Sequence, residues 1–185
     1  MFFERDIFVV YLLQPVSYNF YFRRNMKKIF FFFTVVFLTV VMNCAHAGNI
    51  SVGDKAQNFS LPDLSGKSVS LQDILNNHQP VAFVFWASWC PECRRQLPEI
   101  NDVAKSYKGK MQFIGINTND SRSDAARYVK SAGINFPVLV DVSGAVADSY
   151  RILGVPTVIL IDENGVVKNK DLDINRIDDY LAKHK

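Results

Sequence analysis

The chain has 185 residues, with 21 Lys or Arg against 18 Asp or Glu, three Cys and a formal net charge of +3. The first 47 residues hold five of the basic and two of the acidic side chains, so residues 48–185 carry 16 of each and are formally neutral. The overall +3 therefore gives no sign of nucleic-acid or acidic partners, and no nucleic-acid partner is expected; residues 48–185 have the size of one ordinary domain.

Lys27-Lys28 precede an apolar run with threonines, Ile29 to Met42, and Ala45-His46-Ala47 follows. Positive, apolar, then small-x-small is the order of a secretory signal, and the run is short for a membrane span. Residues 26–47 are therefore expected to be a signal peptide cleaved after Ala47; left uncleaved, it would anchor the chain in a membrane. Cys44 fits a lipid-modified cysteine less well, because Val41-Met42-Asn43 lacks the small residues that such a site uses. Residues 1–25 form an aromatic-rich extension of uncertain standing, since Met26 sits directly before the lysines as a second candidate start. Thirteen of the 24 aromatic residues lie in the first 47, so the apparent hydrophobicity of the N-terminus belongs to this leader. Cys90 and Cys93 then remain as the only cysteines of an exported domain, where a pair bridges or is deliberately kept reduced.

Residues 48–79 are rich in Gly, Asp, Asn and Ser, with apolar beats at Phe59, Leu61, Val69 and Leu71. Two short strands across Ser65-Gly66 are predicted, then a brief helix over Leu71–Leu75. Val81 to Trp86 is apolar and aromatic throughout, bounded by Pro80 and Ala87-Ser88, and reads as a buried strand. A helix follows from Pro91 to about Tyr107, with Leu97, Ile100, Val103 and Ala104 on one face and a kink at Pro98. Gln112 to Asn117 is a second buried strand. Ser121 to Ala132 is helical, opened by Ser121 and Asp124 spaced as a capping box and stopped by Gly133. Val138–Val140 is a short strand and Gly144–Tyr150 a short helix. Thr157–Ile161 and Val166–Lys168 form a hairpin across Asp162-Glu163-Asn164-Gly165, and Ile174–Lys183 closes the chain as an amphipathic helix. The fold class is α/β: a mixed central sheet with helices on both faces.

Cys90-Pro91-Glu92-Cys93 sits where the buried strand turns into the long helix. Pro91 suits a first helical turn. Cysteines three apart in that turn share a face, with Cα atoms roughly 5 Å apart, inside the window of a disulfide. Cys90 faces unpaired N–H groups and the positive end of the helix dipole, which stabilise a thiolate. Cys90 and Cys93 are accordingly expected to be the catalytic pair. A purely structural bridge is the weaker reading, because so short a loop gains little by being closed.

Trp86-Ala87-Ser88-Trp89-Cys90-Pro91-Glu92-Cys93, together with Gly154-Val155-Pro156-Thr157, resembles the thioredoxin superfamily, most of all its exported TlpA/ResA-like thiol–disulfide oxidoreductases. The opening Val52-Gly53-Asp54-Lys55-Ala56-Gln57-Asn58-Phe59-Ser60-Leu61 and the helix near 121–132 are similar to that branch too, so the likeness spans residues 52–183. It implies a thioredoxin fold with an N-terminal short-strand extension and a helical insert, a cis Pro156 against the dithiol, and Val155 offering backbone groups to a substrate. Trp89, Val155 and Pro156 would form the apolar lip of the substrate site. Two positions depart from family patterns. Val84 stands where thioredoxin buries an acid, and Gln96 where ResA-like members have a glutamate. Glu92 is then the nearest acid. Its charge raises a neighbouring thiol while Arg94 and Arg95 oppose it, so Pro91 and Glu92 are expected to tune the couple.

The expected mechanism is reduction of a disulfide in an exported partner protein, with Cys90 attacking and Cys93 resolving the mixed disulfide. The resemblance favours a reductant in cytochrome c maturation, a periplasmic or other extracytoplasmic location, and re-reduction by a membrane thiol donor. No metal or organic cofactor is expected beyond the redox-active Cys90–Cys93 pair, and the protein is expected to be monomeric. A single C-x-x-C supplies two of the four ligands zinc needs, and a copper-binding maturation protein would need C-x-x-x-C with a distant histidine. A peroxiredoxin-like peroxidase is the alternative outside this class, but Trp86 and Ser88-Trp89 stand where its P-x-x-x-T-x-x-C pattern would lie. A disulfide oxidase or isomerase is the alternative within it. Trp86 and Phe85 are expected in the core, His78 and His184 on the surface, and the acids from Asp171 to Asp179 on a solvated face.

Overall fold

The structure is a computed structural model that describes residues 50–174 and residue 177. The leader expected at 26–47, the extension at 1–25, and nearly all of the closing helix at Ile174–Lys183 lie outside the described residues, as does His184. The described residues all fall within one unit of the chain, Asn49–Lys185.

Two short antiparallel strands, β1 (Ser60–Pro62) and β2 (Ser68–Ser70), flank the Ser65-Gly66 turn as expected. Helix α1 (Leu71–Leu75) comes at once after them, opened by a capping box in which Ser70 and Asp73 satisfy each other's backbone N–H. The main sheet has five strands in the order β5-β4-β3-β6-β7: Val138–Asp141, Gln112–Thr118, Val81–Trp86, Thr157–Ile161 and Val167–Lys170. β3 runs parallel to β4 and antiparallel to β6, and β4 runs parallel to β5. The mixed sheet is thus centred on β3, all six of whose residues are buried. The last hairpin begins one residue later than expected. Val166 is held instead by an isolated bridge to Lys55, and its N–H goes to the Asp162 carboxylate at 2.8 Å.

Alternation along β3 sends its side chains into two cores, one on each face of the sheet. Val81, Phe83 and Phe85 join Phe59, Leu71, Ile74, Ala147 and Tyr150 on the side of α1 and α4 (Ala145–Ser149). Ala82, Val84 and Trp86 join Cys90, Cys93, Leu97 and Ile100 on the side of α2 (Pro91–Ser106), where Tyr128 and Val129 of α3 (Arg122–Ala132) pack from outside. Phe85 and Trp86 are therefore both core residues, each fully buried. Helix α2 continues through Pro98 to Ser106, and α3 starts with Ser121 capping Asp124 N–H and stops at Gly133 in the left-handed region.

Candidate redox site

β3 ends at Trp86 and α2 begins at Pro91, so four residues turn the chain and deliver Cys90 as the N-cap of α2. A helix start leaves its first N–H groups without helical partners. Here the Cys93 N–H is aimed at Cys90 Sγ, 3.2 Å away. Cys90 Sγ in turn reaches the Val155 carbonyl at 3.2 Å, and the Val155–Pro156 peptide is cis, as the resemblance implied. The expected site residues Cys90, Cys93, Val155 and Pro156 therefore converge, although Cys90 and Val155 lie 65 positions apart.

The two sulfurs occupy different surroundings. Cys93 is fully enclosed beside Val84, Leu97 and Trp86, whereas Cys90 keeps a small opening to solvent. Burial pushes the Cys93 thiol up to about 12 from an ordinary 9.0, and the adjacent Cys90 sulfur adds to the rise. One sulfur has an N–H donor and an opening; the other holds its proton in an apolar wall. The geometry therefore sets the two thiols apart, Cys90 at the opening with an N–H donor and Cys93 enclosed.

The carboxylate between them faces outward. Glu92 accepts hydrogen bonds from Arg95, Nε at 2.9 Å and Nη2, and from the Gln96 amide. Those partners hold its carboxyl down at about 2, so it is a weak base at neutral pH. Gln96 is thus engaged with Glu92, and Val84 presents only methyl groups on the Cys93 side. Pro91 occupies the first helical position, where its missing N–H costs nothing.

Trp89 is 57% exposed beside Cys90, and its indole N–H donates to the Asn119 carbonyl at 3.1 Å. A cleft of about 620 Å³ opens next to the dithiol, lined by Glu92, Gln96, Arg151, Leu153, Val155 and Pro156. Leu153 is wholly exposed there and gives this cleft an apolar side chain, whereas the exposed Trp89 is not among its lining residues. Leu153 was not among the expected site residues; its place two before Val155 was the available signal. Not foreseen were the tie of Arg94, named above only for its charge, whose guanidinium donates twice to the Ser88 carbonyl, and that of Asp120, whose carboxylate accepts from Ser88 N–H. Asp120 follows the carboxyl end of β4, the end of an open α/β sheet where sites collect. His78 is exposed, away from the cysteines in the chain. Among the described residues, no group of three or more His, Cys, Asp or Glu is placed to hold a metal ion.

Comparison with known proteins bears on the family and the fold. Residues 52–170 match the AhpC/TSA family. The chain is 33% identical over 130 residues to the thiol-disulfide oxidoreductase ResA of Bacillus subtilis, covering 69% of this chain and 72% of that one. It is 28% identical over 174 residues to the ResA of Bacillus thuringiensis subsp. konkukian, covering 85% and 98%. Among solved structures, a Chlorobium tepidum protein assigned as the thiol:disulfide interchange protein DsbE superposes with a TM-score of 0.65 at 31% identity, covering 72% of this chain and 97% of that one.

Proposed function

The chain belongs to the AhpC/TSA family and is a thiol–disulfide oxidoreductase of thioredoxin-like fold, and from that premise we propose that it acts as a reductant of protein disulfides outside the cytoplasm. The observation that carries the proposal is the asymmetry of the pair: Cys90 at the opening with a donor N–H, Cys93 enclosed with its proton retained. Cys90 attacks one sulfur of the substrate disulfide as thiolate, forming a Cys90–substrate bond and releasing the other substrate sulfur as a thiolate. Cys93 then loses its proton and attacks Cys90 Sγ, closing the Cys90–Cys93 bridge and releasing the second substrate sulfur. Two electrons pass to the substrate, and a membrane thiol donor returns the site to the dithiol. Trp89, Val155 and Pro156 seat the substrate segment, the Val155 carbonyl already lying 3.2 Å from Cys90 Sγ. Pro91 and Glu92 tune the couple, with the charge of Glu92 largely answered by Arg95.

The order Lys27-Lys28, apolar run, Ala45-His46-Ala47 supports export, by a cleaved signal or a retained anchor. Resemblance to the ResA-like branch makes apocytochrome c, whose haem-attachment cysteines must be reduced, the favoured substrate class. The Cys90–Cys93 pair works without metal or organic cofactor, and the reading takes a monomer as the working unit. The test is the reduction potential of the couple, titrated against glutathione or dithiothreitol. A value near or below about −230 mV is expected for a reductant; one near about −120 mV would assign disulfide formation instead.

A further inference from the structure

The turn that carries Cys90 is held by groups that never touch the sulfur. Its peptide bonds lie between a strand end and a helix start, where neither element supplies their hydrogen bonds. Ser88 N–H donates to Asp120 Oδ2 at 2.8 Å, and the Ser88 carbonyl accepts from Arg94 Nε at 3.0 Å and Nη2 at 2.8 Å. The next residue, Trp89, is tied through its indole to the Asn119 carbonyl, and Cys90 N–H closes the turn onto the Ala87 carbonyl at 3.3 Å.

The anchor on the far side is itself fixed. Asp120 is only 9% exposed and takes a second hydrogen bond from the fully buried Asn117 at 3.1 Å. Asn119 sits at φ 53°, with its N–H on the Asp141 carbonyl. Its side chain fills space left open by Gly144, where a Cβ would lie 2.6 Å from Asn119 Oδ1. Among the described residues no cation pairs with Asp120. Burying an unpaired carboxylate is costly, and charge-assisted hydrogen bonds are about twice as strong as neutral ones. Here both such bonds are spent on holding the reactive turn to β4.

We propose that Asp120 and Arg94 are positioning residues for the attacking thiol, acting through the two peptide groups that flank Ser88. The proposal rests on Cys90 being the attacking thiol. Freed of either clamp, the turn swings, and Cys90 Sγ leaves its fixed relation to Cys93 N–H and the Val155 carbonyl.

The experiment tracks iodoacetamide alkylation of the reduced full chain across pH, with the modified cysteine located by fragmentation mass spectrometry. The two indole N–H resonances are recorded in parallel. In the wild type Cys90 is modified before Cys93. Asp120→Ala is expected to slow Cys90 alkylation about tenfold and to move the Trp89 indole resonance. Asp120→Asn, which keeps an acceptor for Ser88 N–H without the charge, is expected to stay within about twofold of wild type. Arg94→Ala, a change at an exposed side chain, is expected to slow Cys90 about threefold and decides the matter should Asp120→Ala not fold. Wild-type rates and an unmoved Trp89 resonance in Arg94→Ala, or in a folded Asp120→Ala, overturn the positioning role while leaving Cys90 as the nucleophile. A wild type in which Cys93 is modified before Cys90 overturns the proposed order of attack and this clamp with it.

Discussion

Cys93 holds its proton to about 12 in the folded protein, above all because it is buried, whereas an unfolded chain releases that proton near 9.0. Between those values the unfolded state binds fewer protons than the folded one, so stability falls as pH rises through that window. Its contribution is intact below pH 9. Burial also raises Tyr150 and Tyr128, but both remain in a Cys93→Ala variant. Urea midpoints of the reduced wild type and Cys93→Ala should therefore diverge from pH 8 to pH 10.5, the wild type losing more; parallel slopes would contradict the assigned burial. At this scale the two cysteines were legible, because spacing and a helix start determine their relation. The absence of an acid at Val84 and Gln96 was equally legible. The tie from Ser88 to Asp120 was not, since the two lie 32 positions apart and no local pattern marks their meeting.

Helices α2 and α3 meet through one buried amide. Asn101 Nδ2 donates to the Gly133 carbonyl at 3.0 Å, and its Oδ1 accepts from Asn135 N–H at 2.8 Å. Asn101→Ala removes both partners at once, and each orphaned group costs about 1–3 kcal/mol, so a loss of about 2–6 kcal/mol is expected by urea denaturation. Alkylation of Cys90 should be unchanged, because the tie lies beyond the Cys90–Cys93 turn of α2. Element types and order were readable where the signals are local: Ser121 and Asp124 cap α3, Gly133 ends it, and Asn164-Gly165 turns the last hairpin. The start of β7 was misplaced by a residue because Val166 answers to Lys55, more than a hundred positions away.

The whole domain hangs on β3, which divides the interior into a dithiol face and an opposite aromatic face. On the latter, Tyr150 is fully buried against Phe59, Phe83 and Phe85, and its hydroxyl donates to the Gln57 carbonyl at 2.7 Å. Tyr150→Phe should lower stability by about 1 kcal/mol and leave the thiols' reactivity as it was, measured by thermal melting beside alkylation. Pairing of Val81–Trp86 with both Gln112–Asn117 and Thr157–Ile161 joins segments far apart in the chain. Periodicity reveals each strand but not its neighbour, so the sequence carried the expectation of a mixed sheet but not the strand order. The central claim is that Cys90 attacks and Cys93 resolves. It is tested most directly by trapping: Cys93→Ser and Cys90→Ser, each with Cys44→Ser, are incubated with oxidised glutathione and weighed by mass spectrometry. A lasting mixed disulfide on Cys90 in Cys93→Ser, with little adduct in Cys90→Ser, is the expected result; a stable adduct on Cys93 with Cys90 left unmodified would contradict it.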